Sequence, residues 1–198
     1  NTVANMIAAN SEYGFDNGDT GNNHNAFWNV EAYGNSEMGI SAYAGSDYTT
    51  IINSNLHDNF RGVAIGWSSY WVVSETMITG NEYGLGIDAA DYGTVINNVI
   101  TDNTFDGIIF NGPHEEHNTV TENQISGNAR GLAFACAGRY NDVTSNEISD
   151  NEYGVFLARN DACPNYGNSF YHNTFSNNTV QAQNNEDRYG GNTWDNGY

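Results

Sequence analysis

Apolar and polar residues alternate along the chain in a short phrase that returns eight times. In its clearest copy Val143 is followed five positions later by Ile148, then by Asn151 and Gly154. The asparagine of successive copies recurs every 22 to 27 residues. A period of this size is typical of repeat proteins, in which each unit buries its apolar face against its neighbours.

The residues after each glycine follow an apolar-x-apolar pattern, as in Val63 and Ile65 or Leu85 and Ile87. Period two is typical of a strand with one buried face, and no helical spacing extends over ten residues. Three apolar positions recur in every copy, which predicts three short strands per coil. The chain is therefore predicted to be all-β: a right-handed, single-stranded parallel β-helix of about eight coils of 22–27 residues.

Aligning the copies gives the expected positions of the stacked residues. In the first coil the alignment places Thr2 and Ile7 at the first two apolar positions. Asparagine tolerates the left-handed conformation of a sharp corner, and stacked amides can bond along the axis. We therefore expect a structural asparagine ladder at Asn10, Asn35, Asn59, Asn81, Asn103, Asn128, Asn151 and Asn178.

The end of the chain departs from the repeat. Residues 1–183 are predicted to form the β-helix. The polar tail 184–198, which holds Trp194, is predicted to cap the last coil, since an open parallel edge invites association. Because the chain starts at Asn1 without a signal peptide, we expect a mature secreted product or a piece of a longer protein.

The net charge of −19, with no lysine and five arginines, argues against binding to nucleic acid or anionic membranes. Such a surface suits either solubility in salt or deliberate cation binding. No apolar stretch is long enough to span a membrane. Cys136 and Cys163 lie 27 residues apart, about one repeat, so we expect a disulfide between adjacent coils in an extracellular protein. Two buried free thiols are the alternative.

The phrase V-x-x-N-x-I-x-x-N-x-x-G-[VIL] resembles the repeats of the carbohydrate-binding and sugar-hydrolase superfamily, and its NosD-like members most of all. The segment 170–179 is similar to the closing stretch of such domains. The resemblance implies a pectate-lyase-like solenoid over essentially the whole chain. NosD-like proteins are associated with periplasmic copper handling, but no Met/His/Cys cluster in the sequence supports that role here.

Variable segments between copies all leave the same corner and are predicted to form one edge. They carry aromatic residues: Tyr43, Tyr48, Trp67, Tyr70, Trp71, Tyr92, Tyr140 and Tyr166. Rings with nearby carboxylates suit sugar binding, because rings stack on the C–H faces of sugars and carboxylates accept hydrogen bonds from their hydroxyl groups. The expected carbohydrate or partner site comprises Trp67, Tyr70, Trp71, Tyr43, Tyr48, Tyr92, Asp88 and Asp91. Subunit contact and local packing of the rings are the alternatives.

Metal and catalytic sites are less well defined. His114 and His117 lie in one loop and are candidate ligands of a divalent ion, and Asp16 and Asp19 are candidate calcium ligands. No other cofactor is expected. Residues 13–16 resemble the start of the alginate epimerase motif, but Asn17 and Gly18 follow instead of its histidine, and the chain lacks lysine. Arg61 and Arg130 are expected to lie three coils apart, too far to act together. No catalytic residue is assigned.

These patterns predict a non-enzymatic extracellular or cell-surface module. We expect it to act as a building block of a sheath, surface layer or filament, with polysaccharide contact. Its expected partners are other copies of itself, surface proteins and polysaccharide, and neither nucleic acid nor membrane. The alternative is a polysaccharide lyase, C5-epimerase or glycoside hydrolase that works along the aromatic edge.

Overall fold

The computed structural model describes residues 1–18, 23–185 and 191–194. Short parallel strands in these residues form three long sheets, and each coil contributes one strand to each sheet. The part of the chain that the structure describes contains no helix. The predicted all-β parallel β-helix of about eight coils is confirmed.

The three sheets follow one another around every coil. The strands of the first sheet are Thr2–Ala4, Ala26–Trp28, Thr50–Ile52, Val72–Ser74, Thr94–Ile96, Thr119–Thr121, Asp142–Thr144, Ser169–Tyr171 and Thr193–Trp194. Those of the second are Ile7–Ala9, Glu31–Tyr33, Asn55–His57, Met77–Thr79, Val99–Thr101, Gln124–Ser126, Glu147–Ser149 and Thr174–Ser176. Those of the third are Tyr13–Asp16, Met38–Ala42, Arg61–Gly66, Tyr83–Asp88, Asp106–Phe110, Arg130–Phe134, Tyr153–Leu157 and Val180–Asn184. Glu115–Glu116 and Gly138–Arg139 form a small additional pair.

The core is a set of apolar columns along the axis. In the second sheet Ile78, Ile100 and Ile125 are direct register partners in successive coils, and all three are fully buried. Burying each such side chain contributes roughly 1.5–3 kcal/mol. Each coil buries its apolar side chains against those of the next coil. The sequence repeat therefore exists because every coil must supply the same positions of the core.

The first coil shows a register that differs from the prediction. Val3, not Thr2, pairs with Phe27, and Ala8, not Ile7, pairs with Ala32. Ile7 points outward and is 65% exposed. A shift of one residue moves a strand side chain to the opposite face. The larger Ile7 looked like the core residue, but the strand turns the smaller Ala8 inward.

The predicted asparagine ladder lies at the corner between the second and third sheets. Along it, each amide oxygen accepts from the backbone N–H and the side-chain amide of the asparagine one coil earlier. The side-chain bonds measure 2.8 Å from Asn35 to Asn59 and 3.0 Å from Asn151 to Asn178. The prediction that Asn10 begins the ladder was wrong. Asn10 is the left-handed residue just before the ladder position (φ 58°), and Ser11 occupies that position and donates its hydroxyl to Asn35 Oδ1 at 3.1 Å.

Two further asparagine ladders stand at the other corners, and the sequence analysis did not separate them from the first. Between the first and second sheets the ladder comprises Asn98, Asn123, Asn146 and Asn173. Between the third and first sheets it comprises Asn118, Asn141, Asn168 and Asn192. The ladder between the first and second sheets could have been predicted from the Val-x-x-Asn half of the phrase, in which Asn146 follows Val143 by three residues.

The end of the chain continues the solenoid where it is described. Strand Val180–Asn184 extends the third sheet one residue past the predicted boundary at 183. Strand Thr193–Trp194 pairs with Ser169–Tyr171, and the Trp194 ring stacks on Phe170 with 4.1 Å between ring centroids. Residues 186–190 and 195–198 lie outside the described residues, so the cap over 184–198 stays a prediction.

Cys136 and Cys163 form a disulfide, with 5.1 Å between their Cα atoms. The bond joins the loops of two adjacent coils, as their spacing predicted. A search of the described residues for a helix both long and apolar enough to span a membrane finds none.

Candidate ligand-binding edge

Every coil has three corners at which a residue takes a left-handed backbone conformation. Two corners mostly use residues that tolerate it, asparagine, aspartate and glycine, as at Asn53, Asn97, Asp58 and Gly80. The corner between the third and first sheets uses bulky rings instead, with φ between 53° and 60°. They are His24, Tyr48, Tyr70, Tyr92, His117 and Tyr140.

These six rings, which we call the aromatic ladder, stack on one another along the axis. Adjacent ring centroids are 4.5 to 5.7 Å apart, and adjacent ring planes are tilted by 7° to 18°. The four tyrosines are 44% to 50% exposed. In the next coil the ladder ends at Gly167, and Tyr166 packs edge-on against Tyr140 at 5.5 Å. The result is a row of solvent-exposed rings about 24 Å long at ordinary strand spacing.

Stability alone gives little reason for rings at this corner. A non-glycine residue in this conformation costs roughly 1–3 kcal/mol, and a stacked aromatic pair returns about 0.5–1.5 kcal/mol. The two effects nearly cancel. Asparagine at the same φ elsewhere in the molecule avoids most of the cost. We therefore regard the ladder as a candidate functional surface.

The stacking determines what the ladder offers to a ligand. Neighbouring rings cover the faces of the inner members, so a ligand would meet the ring edges, with the tyrosine hydroxyls and imidazole nitrogens, rather than the ring faces. Each hydroxyl both donates and accepts a hydrogen bond. Because the groups recur at one coil spacing, the surface suits a linear polymer with its own regular repeat.

The structure divides the predicted carbohydrate residues into groups. Tyr48, Tyr70 and Tyr92 belong to the ladder. Trp67 is 62% exposed at a neighbouring corner position. The prediction that Trp71 lies in the binding surface was wrong, because Trp71 is fully buried. Its ring fills the space beside Gly93, where the Cβ of any other residue would collide with it.

Sequence reasoning missed His24 and His117 as members of the ladder. Each directly precedes an asparagine, in His24-Asn25 and His117-Asn118, as Tyr140 precedes Asn141. A histidine or tyrosine directly before an asparagine, recurring at the coil spacing, could have predicted the members of the aromatic ladder. It was hidden because Thr49, Trp71 and Gly93 replace the asparagine in three coils.

Carboxylates next to the ladder brace its backbone. Asp47 Oδ1 accepts from the Ser69 N–H at 2.7 Å, and Asp91 Oδ1 accepts from the Glu116 N–H at 2.8 Å. Burial raises the pKa of the Asp91 carboxyl above its ordinary value. The predicted site residue Asp91 therefore links adjacent coils beneath the rings.

Glu115 is a buried carboxyl at the same corner. Its Oε1 accepts from the Ala89 N–H at 3.0 Å, whereas Oε2 has no hydrogen-bonding partner among the described residues. Burial, the main cause, raises its pKa from 4.5 to about 8. Glu115 is therefore mostly protonated at pH 7.

A second polar group lies on the outer face of the third sheet. Tyr43 Oη donates to Asp88 Oδ2, and Arg61 Nη1 donates to the same oxygen at 2.9 Å. We call Tyr43, Arg61 and Asp88 the outer-face cluster. Tyr43 and Asp88 were predicted for the aromatic edge, but the structure joins them to Arg61 instead.

Arg61 and Arg130 do not act on a common group through hydrogen bonds. Arg130 donates to both oxygens of Asp106, at 2.5 and 2.8 Å, while Arg61 pairs with Asp88. Burial raises the pKa of the Asp106 carboxyl, and both arginines oppose that rise. Each arginine is thus neutralised by its own aspartate.

The structure places one of the predicted metal ligands, His117, in the aromatic ladder. The His117 ring is stacked between Tyr92 and Tyr140. Within residues 1–18, 23–185 and 191–194, no three His, Cys, Asp or Glu side chains are placed to hold a metal ion. Asp16 is exposed at the end of its strand, and Asp19 lies outside the described residues. The calcium site stays a prediction.

Similarity to solved structures supports the fold. The Azotobacter vinelandii mannuronan C-5 epimerase AlgE4 A-module matches with a TM-score of 0.83 and 16% identity, over 98% of this chain and 57% of that chain. An alginate lyase from Paenibacillus sp. str. FPU-7 matches with a TM-score of 0.63 and 12% identity, over 93% and 73%. Pectate lyase Pel9A matches with a TM-score of 0.55 and 15% identity, over 91% and 52%. This chain thus spans little more than half of the epimerase module.

Among curated proteins, no sequence is similar enough to this chain to indicate a relative. A family model described as "Periplasmic copper-binding protein (NosD)" matches residues 4–198. Copper sites use imidazole and sulfur ligands. Both cysteines are in the disulfide, and the described residues contain no group of three His, Cys, Asp or Glu side chains placed to hold a metal ion. The described donors therefore do not fit a copper site, and no role is derived for that metal.

Proposed function

The chain belongs to the NosD family, and we propose that it is a non-enzymatic extracytoplasmic β-helix that binds a neutral polysaccharide along the aromatic ladder. The observation that carries the proposal is the ladder itself, six exposed and stacked rings at a corner where smaller residues would cost less. The periplasmic description of the family and the disulfide support a location outside the cytoplasm.

Two further observations support the class of ligand. Three proteins of similar fold are named for mannuronan, alginate and pectate, so this architecture is one that accommodates sugar chains, by analogy. The net charge of −19 repels polyanions, which favours a neutral chain over uronates. The role as a sheath, surface-layer or filament component belongs to the same proposal, since a rigid solenoid suits an ordered layer.

The test is a binding measurement with soluble neutral polysaccharides, a mannan and a β-glucan, by affinity electrophoresis and calorimetry. The variant Tyr70→Asn/Tyr92→Asn removes two central rings and installs a residue that the other corners carry at the same φ. We expect it to fold and to bind at least about tenfold more weakly, a loss of about 1.4 kcal/mol. Tyr171→Asn, at an exposed tyrosine outside the ladder, is the matched control.

Undiminished binding by the double variant, or no binding by the parent protein, overturns the proposal. Alginate and pectate are included as polyanionic comparisons. New unsaturated or reducing ends in those incubations would instead support the enzymatic alternative.

A further inference from the structure

The outer-face cluster is held together by two glycines that have no role in turning the chain. Gly66 and Gly86 lie within strands of the third sheet, and neither is among the glycines with positive φ. A Cβ at Gly66 would collide with the Tyr43 ring, and one at Gly86 would lie 3.1 Å from Arg61 Nη1. The glycines leave room for the ring and the guanidinium to lie flat on the sheet.

Stability does not explain this arrangement. A glycine within a strand costs roughly 0.5–1 kcal/mol, and there are two of them. The side chains of Arg61 and Asp88 are only 18% and 19% exposed, and for a largely buried ion pair the cost of desolvation offsets most of the attraction. In addition, Arg61 Nε is buried without a hydrogen-bonding partner among the described residues. The net contribution of the cluster to the unfolding free energy is therefore close to zero.

The cluster presents a hydrogen-bond acceptor next to a donor. Both bonds to Asp88 end on Oδ2, and neither Oδ1 of Asp88 nor Nη2 of Arg61 bonds to another described residue. Burial and the bond to Asp88 raise the pKa of the Tyr43 hydroxyl, so it remains a donor that fixes the carboxylate. The charges of Asp88 and Arg61 cancel.

Aromatic rings border the guanidinium. Arg61 Cζ lies 5.6 Å from the centroid of the Tyr83 ring. Tyr83 in turn contacts Phe60 and Phe105, with ring centroids 5.5 and 5.1 Å away. Phe105 is 43% exposed. An apolar platform beside one acceptor and one donor is suited to a sugar, whose C–H face is apolar and whose hydroxyls are polar.

We propose that the outer-face cluster is a second carbohydrate site, which binds a neutral sugar through two adjacent hydroxyl groups. One hydroxyl donates to Asp88 Oδ1, the oxygen of the other accepts from Arg61 Nη2, and the sugar ring lies towards Tyr83. An anionic ligand is disfavoured by the Asp88 carboxylate. The inference takes its ligand class from the proposed function, but it uses a different face and different residues.

The experiment is an NMR titration of the full chain with mannobiose and with cellobiose, in which the amides of Gly66 and Gly86 are followed. We expect saturable shifts at both glycines with at least one disaccharide. Asp88→Asn, which keeps the side-chain shape, is expected to weaken binding at least tenfold. Gly86→Ala, which displaces the guanidinium, is expected to weaken it as well.

The ladder variant Tyr70→Asn/Tyr92→Asn separates the two sites. It is expected to keep the shifts at Gly66 and Gly86 while losing polysaccharide binding. Absence of shifts at the two glycines, or shifts that survive Asp88→Asn, overturns the second site and leaves the ladder proposal standing. Loss of polysaccharide binding in Asp88→Asn but not in the ladder variant would overturn the ladder proposal alone.

Discussion

Glu115 makes the stability of the fold depend on pH through a single side chain. In the folded protein its pKa is raised to about 8, whereas the unfolded chain has the ordinary value of 4.5. Between these values the folded state keeps the proton and the unfolded state has released it. The unfolding free energy therefore falls as pH rises through this window, and the loss is complete above about pH 8.

We predict that Glu115→Gln removes this dependence, because a neutral amide replaces the protonated acid. Relative to the parent, the variant should gain on the order of 4 kcal/mol between pH 4 and pH 9, since one pKa unit is worth about 1.4 kcal/mol. Urea unfolding at the two pH values measures the gain, with exposed Glu122→Gln as the control. Parallel pH profiles for parent and variant would contradict it.

At the scale of the element, the asparagine ladders act as continuous hydrogen-bonded columns. Asn128 Oδ1 accepts from the backbone N–H and the side-chain amide of Asn103, both at 3.0 Å, while its own amide donates to Asn151 at 3.1 Å. Asn128 is buried. Removing the Asn128 side chain therefore leaves two donors of Asn103, its backbone N–H and its side-chain amide, without this acceptor.

We predict that Asn128→Ala lowers the unfolding free energy by about 3 kcal/mol, because an unpaired buried polar group costs about 1–3 kcal/mol and two are created. The control is Gln124→Ala, an exposed side chain on the neighbouring strand, for which we expect a change within about 0.5 kcal/mol. If the two substitutions lowered the unfolding free energy equally in denaturant unfolding, the asparagine column would not stabilise the fold as predicted.

Elements could be predicted from the sequence where the repeat keeps a regular spacing, and less well where the spacing varies. Strand positions were correct wherever the phrase is regular, as at Ile78 and Ile100. The first coil failed by one residue because Ile7 and Asn10 imitate the pattern while Ala8 and Ser11 fulfil it. The aromatic ladder was only partly foreseen, since coil segments of unequal length hide its register. The outer-face cluster joins side chains from three coils, which no local pattern reveals.

At the scale of the whole molecule, the solenoid is a one-dimensional stack in which each coil touches only its neighbours. The disulfide is therefore a clamp between two particular coils, with its cysteines 27 residues apart. Closing a loop of this size constrains the unfolded chain and typically contributes about 3 kcal/mol.

We predict that Cys136→Ala/Cys163→Ala loses about 3 kcal/mol of unfolding free energy. Amide hydrogen exchange should rise most in the two coils that the bond joins, including strands Arg130–Phe134 and Tyr153–Leu157. Chemical reduction of the parent protein is the independent comparison. A uniform rise in exchange along the solenoid would contradict the expected local effect.

Charge acts on the molecule as a whole, because few of the 24 acids are balanced by the five arginines. Four arginines form described ion pairs, with Asp88, Asp106, Glu116 and Asp161. The net charge of −19 means that like charges repel one another along the solenoid. Salt shortens the range of that repulsion from about 30 Å at 0.01 M to about 3 Å at 1 M.

We predict that raising sodium chloride from 0.01 to 1 M increases Tm by several degrees, and that a triple variant flattens this response. The variant Glu122→Gln/Glu147→Gln/Asp142→Asn removes three exposed charges from adjacent coils without touching a described ion pair. It should melt higher than the parent at low salt and close to it at high salt. Were general salt effects on apolar burial responsible instead, both proteins would shift equally, and the surface charge would have no part in the stability of the stack.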